Sequence, residues 1–163
     1  MKKFITLIYL LTTPLLSQDI LPLRERASLI DQIQKERIEK LLPKLMEEQD
    51  IDAWIMITRE YNEDPIVKTL LPPTWLNARR RTIIVFSKTE NGIDQVAISR
   101  YNFGENIRSI WNKEKQPDQW KALSDYIVSQ NPQKIGINTS EYYGIVDGLA
   151  KTDYDGLIQA LPS

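Results

Sequence analysis

The sequence predicts an α/β fold, a mixed β-sheet flanked by helices, and three stretches carry that expectation. Trp54, Ile55, Met56 and Ile57 form a continuous apolar run, the pattern of a strand covered on both faces. Residues 82–87 and 95–101 are strand-like segments joined through Asn91-Gly92, an antiparallel hairpin with the positive φ that a tight turn requires. A helical stretch opened by Pro117 and Asp118 ends at Asn131-Pro132 and gives way to the short apolar strand 134–138, the strand-helix-strand rhythm of an α/β domain. With 163 residues, 42% of them hydrophobic, the chain has room for one core.

The N-terminus points to a compartment. Lys2 and Lys3 precede an apolar run over residues 4–16 that closes at Ser17-Gln18, the layout of a secretory signal peptide spanning residues 1–17. Thr12, Thr13 and Pro14 make the run short and weak for a membrane anchor. The expectation is a periplasmic or secreted protein with no membrane attachment after cleavage. Cleavage removes only Lys2 and Lys3 among the charged residues and shifts the net charge from −1 to −3. That mildly acidic balance carries no basic footprint for nucleic acid. The chain has no cysteine and no histidine. Disulfide scaffolds, thiolate sites, Ser-His-Asp catalysis and His-containing zinc motifs are therefore excluded.

Residues 19–23 read as an extended leader held by Pro22, followed by a long helix over 24–49. Its apolar positions, Leu29, Ile30, Ile33, Ile38, Leu41, Leu42, Leu45 and Met46, recur at helical spacing and are expected to pack into the core. Pro43 interrupts the stripe and should push Leu42 out of the α region, giving a kink or two abutting helices. The strand over 51–58 then ends in the polar loop 59–65, and the carboxyl ends of strands in open α/β sheets are where ligands usually bind. Residues 66–71 continue as a short helix or extended segment until Pro72-Pro73.

Trp75 lies between that double proline and the run Arg79-Arg80-Arg81. It reads as a cover for an edge of its own core, or as an aromatic wall for a ligand or partner subunit. The arginine run reads as a solvated face or a salt-bridge partner for the acidic loop rather than a phosphate site, because no glycine-rich turn accompanies it. Residues 102–114 are expected to be irregular or a marginal strand. Trp120, Leu123, Ile127 and Val128 form the buried face of the next helix, with Pro117 in its first turn. Ser140 is expected to cap a short helix that Gly148 ends, and Thr152 with Asp155 resembles a capping box for a final helix through Leu157, Ile158 and Leu161.

Glu60, Glu63 and Asp64 are three acids within five residues, of the type that binds hard divalent cations. The expected state is a solvated loop paired with nearby arginines, because a two-metal site needs further acids and only Asp52 and Asp94 are at hand. No catalytic or metal-ligating residue is assigned in this chain.

The kinked helix ending in Leu-Leu-Pro, the strand Ile-Asp-Ala-Trp-Ile-Met-Ile, the block Arg-Glu-Tyr-Asn-Glu-Asp-Pro at 59–65, Arg-Arg-Arg-Thr-Ile-Ile-Val-Phe at 79–86 and Asp-Gly-Leu at 147–149 together carry a resemblance. Residues 24–161 resemble the N-terminal domain of secreted bacterial Xaa-Pro aminopeptidase-like members of the creatinase/prolidase metallopeptidase family. The resemblance implies a mixed sheet with helices on its faces, followed in full-length members by a pita-bread catalytic domain that this sequence lacks, so the chain is expected to be a fragment. It also implies a parent hydrolase with two divalent metal ions such as manganese, a proline-containing peptide substrate and a homo-oligomeric, dimer-like assembly. The ligands of those ions lie in the C-terminal half of such enzymes, so none is carried over here. Trp75, Tyr61, Asn62 and Arg79 are the candidates for contact with substrate or a neighbouring subunit. The alternative is a free-standing periplasmic binding or interaction module without enzymatic activity.

Overall fold

Apolar residues on both sides of the pleat make β1 (Ala53–Arg59) an interior strand. Ile55 and Ile57 enter one buried cluster, while Met56 enters another on the opposite face with Trp54 packed against it. The same division holds along β2 (Arg81–Thr89), where Ile83 and Val85 face one way and Ile84 and Phe86 the other. The structure, a computed structural model, describes residues 20–162, and the signal-peptide expectation for residues 1–17 lies outside them. With β3 (Gly92–Ile98), β4 (Arg108–Ser109) and β5 (Ile135–Ile137), the described strands form one sheet in the order β4-β3-β2-β1-β5. The β1–β2 and β2–β3 pairs are antiparallel, and β1–β5 and β3–β4 are parallel. The mixed α/β architecture matches the expectation.

A helical run covers one face. It comprises α1 (Leu23–Glu36), a π-turn (Arg37–Leu41) and α2 (Leu42–Glu48). Pro43 does not expel Leu42 from the α region, which keeps φ −57 and ψ −46. The break falls one step earlier, where the Leu42 N–H reaches back to the Arg37 carbonyl, and a widened turn of this kind is a common site of a helix kink. The apolar stripe divides at the same place. Ile38, Leu42 and Met46 are buried, whereas Leu29, Ile30, Ile33 and Leu41 are 39–49% exposed, so the core expectation fails for those four. The run is instead tied to the body by polar contacts, Gln34 of α1 to the Leu70 carbonyl and Arg37 of the π-turn to the Thr69 carbonyl.

The one-turn helix α3 (Pro65–Lys68) after β1 packs Val67 on the same face as α2, and on the other face lie α4 (Gln119–Gln130) and α5 (Lys151–Ala160). Asp118 is the N-cap of α4, accepting from the Trp120 N–H at 2.8 Å, so Pro117 precedes the helix rather than occupying its first turn. Leu123 and Ile127 are buried as expected, but Val128 is 59% exposed. The β2–β3 turn places its positive φ at Gly92 itself (+118°), not at Asn91, and β3 stops at Ile98, three residues before the expected end. Ser140 caps no α-helix. Its hydroxyl accepts from the Tyr142 and Tyr143 N–H groups ahead of a 3₁₀ turn at Gly144–Val146. The capping box at Thr152 and Asp155 is absent. α5 starts after Ala150 without a side-chain cap, and Asp155 pairs with Lys151 within the helix.

Candidate functional site

Strand direction decides what gathers at each end of the sheet. β1 ends at Arg59 where its partner β2 begins at Arg81, and the antiparallel β3 and its parallel neighbour β4 finish at that same end. The segments following β1, β3 and β4 therefore meet the segment preceding β2. Between them lies a cleft of about 880 Å³ lined by Arg59, Arg79, Arg80, Arg81, Arg100 and Lys113, against a single carboxylate, Glu60. Trp75, Tyr101 and Trp111 supply its aromatic walls.

Two of the six cations are tied inward. Arg59 donates from Nε and Nη2 to the two oxygens of Asp153, each at 2.6 Å, a bidentate pair that closes the start of α5 onto the end of β1. Arg81 lies 3.7 Å from the same carboxylate, donates to the Gln119 Oε1 at 2.8 Å and stacks 4.3 Å from the Trp120 ring. The hydrogen bond to Asp153 raises the pKa of Arg59, whereas burial lowers that of Arg81. Both guanidinium groups remain charged at neutral pH. Gln119 locks this corner by donating to the Arg81 and Ile98 carbonyls at 3.1 and 2.6 Å.

The carboxylates of the acidic loop 59–65 accept hydrogen bonds from nearby N–H groups. Asp64 is fully buried and caps α3, accepting from the N–H groups of Ile66 (2.7 Å) and Val67 (3.0 Å). Its other oxygen accepts from Asn138 Nδ2 at 2.9 Å, and Asn138 Oδ1 accepts from the Trp54 indole at 2.7 Å. Glu63 accepts from the Tyr61 N–H, and Glu60 from the Arg80 N–H at 3.4 Å. Asp52 accepts from the Gln133 and Lys134 N–H groups, and Asp94 pairs with Arg108, so the two acids from elsewhere are also engaged. Among the described residues no group of three or more acids is placed to hold a metal ion.

Of the four contact candidates, the structure brings two together. Trp75 is half-buried against the core, its ring edge-on to Phe103 at 5.0 Å, and one side of it forms the cleft wall. Arg79 lies over both aromatic rings, 5.4 Å from the Trp75 centroid and 5.8 Å from that of Tyr101. Tyr61 and Asn62 are not in the cleft lining. Tyr61 is 85% exposed at the tip of a tight turn, with φ +68, closed by the Asn62 N–H to the Arg59 carbonyl at 3.0 Å. Arg100, Tyr101, Trp111 and Lys113 were not legible as site residues. Each stands just past the end of β3 or β4, and the strand-end rule applied to every strand would have found them.

Comparison with family models, with curated proteins and with solved structures finds no match for this chain.

Proposed function

We propose that this chain is the non-catalytic N-terminal domain of a periplasmic or secreted Xaa-Pro aminopeptidase-like metallopeptidase, where it shapes substrate access and subunit contacts. The supporting observation is the loop entering β2. Pro72 is buried and Trp75 is anchored edge-on to Phe103, yet the next residue, Leu76, is 100% exposed. A loop fixed from within and presenting a bare leucine beside an indole is suited to a neighbouring surface, and its proline bracing lowers the entropy lost on contact. Peptide hydrolysis in this reading belongs to a following domain with two divalent metal ions such as manganese. The acids at 60–64 do not fit such ions, because Asp64 is committed to capping a helix.

The reading frame downstream of Ser163 is the first test. Continuation for about another domain length with Asp, His and Glu metal ligands supports the proposal, and an immediate native stop codon defeats it. In the full-length protein, Trp75→Ala together with Leu76→Asp should weaken Xaa-Pro peptide turnover or dimerisation by about 1 to 3 kcal/mol. The second reading, a free-standing binding module, is favoured by the cationic cleft, which forms within this chain alone.

A further inference from the structure

We propose that the cleft binds a small polyvalent oxyanion, a molecule with two or more phosphate or carboxylate groups. This inference goes beyond the proposed function and stands whether or not a catalytic domain follows. Four of its cations, Arg79, Arg80, Arg100 and Lys113, form no side-chain ion pair among the described residues, and all four are exposed. The whole chain carries a net charge of −1, yet six of its 21 Lys and Arg side chains face one cleft with Glu60 the only lining carboxylate. Like charges gathered in this way repel one another, and an anion placed between them removes that repulsion.

The geometry adds to the charge. Arg79 is held by aromatic rings rather than by a carboxylate, so its guanidinium is positioned while its N–H donors remain available for a forked oxyanion contact. Arg80 adopts a left-handed conformation, φ +49, which a residue with a side chain rarely takes. That conformation is held by reciprocal bonds, the Glu60 N–H to the Arg80 carbonyl at 2.9 Å and the Arg80 N–H to the Glu60 carboxylate at 3.4 Å. The volume of about 880 Å³ falls in the range of small-molecule sites rather than of an extended nucleic-acid groove. A single carboxylate on an exposed arginine gains little in water, so a useful ligand must engage several of these cations at once.

The test is calorimetric titration of the purified full chain with tripolyphosphate and, in a parallel arm, citrate, at low and at physiological ionic strength. Saturable binding to one site is expected for at least one anion, weakening with salt, and the stronger arm identifies phosphate or carboxylate as the chemistry. Arg79→Ala and Arg100→Ala should each weaken it about tenfold or more. Arg26→Ala, on an exposed part of α1, should leave it unchanged. Amide shifts in the wild-type protein upon titration should centre on residues 79–81 and 100–113, a readout that does not depend on any variant folding. Absence of saturable heat with both anions, equal losses for Arg26→Ala, or shifts centred elsewhere would each overturn the proposal.

Discussion

The loop that leaves β1 and the loop that enters β2 lie side by side at one end of the sheet, joined by the Glu60 N–H to Arg80 carbonyl bond, and both are dense in charge. They use that charge in opposite ways. In the first, Arg59 is clamped to the buried Asp153, and Asp64 caps α3 while holding Asn138, so the charges connect β1 to α3, β5 and α5. In the second, Arg79 and Arg80 end in solvent with no carboxylate on their guanidinium groups among the described residues. An ionised group turned inward with all its partners serves stability and specificity of the fold, whereas one held at the surface without a partner remains available to a ligand.

The sharpest way to break this contrast is at Gly148. A Cβ there would sit 1.9 Å from Asp64 Oδ2, and that oxygen cannot retreat without losing Asn138. Gly148→Ala should lower unfolding free energy by about 3 kcal/mol, the upper part of the overpacking range. Combining it with Asp64→Ala, which removes the two closest atoms and leaves only the Asp64 Cβ at 3.0 Å, should cost less than the sum of the two single changes, as measured by denaturant unfolding. Strict additivity would show that the two positions are not pressed together.

Next in size is Arg59→Ala, which leaves the Asp153 carboxylate buried with only Arg81 at 3.7 Å. The expected loss is about 1 to 3 kcal/mol. Arg79→Ala and Arg100→Ala, on the other side of the comparison, should each change stability by less than about 0.5 kcal/mol, the usual result for exposed positions. A loss for Arg79→Ala as large as that for Arg59→Ala would erase the distinction between the loops.

A smaller, pH-dependent effect separates the buried from the exposed at Tyr126. Burial, with the neighbouring Asp94 adding to it, raises the phenol from 10.0 to about 12 in the folded chain. The folded state thus holds this proton more tightly than the unfolded state does. The contribution is fully present below about pH 10 and is lost as pH rises from there through about 12. Tyr126→Phe should flatten the part of the alkaline stability loss that falls in this window, followed by thermal unfolding as a function of pH. An unchanged profile would remove Tyr126 as its source.

Much of the fold was legible because it rests on local pattern. The continuous apolar run at residues 54–57 required burial on both faces, and β1 has it. Asn91-Gly92 marked the hairpin, and Asn131 ended α4 in a left-handed conformation with φ +49. Capping was read less well. Thr152 and Asp155 have the right spacing for a box, but the helix starts two residues too early for Thr152 to be its cap, and the first-turn acid that matters is Asp153, paired with Arg59. Spacing within α1 gives a stripe without saying how far along the helix the sheet extends, so the periodicity alone does not distinguish the exposed Leu29, Ile30 and Ile33 from the buried Ile38.

What the sequence determined by itself was the main strands and helices, the division of the core between two faces, and the exclusion of histidine and cysteine chemistry. Tertiary structure alone decided which charges are committed and which are free. Net charge is a sum over the chain and hides the gathering of six cations from four separate segments in one cleft. The physical reason is topological: β1, β3 and β4 finish at the end where β2 begins, so residues 59, 80, 100 and 113 become neighbours through strand direction and pairing order rather than through any short-range pattern.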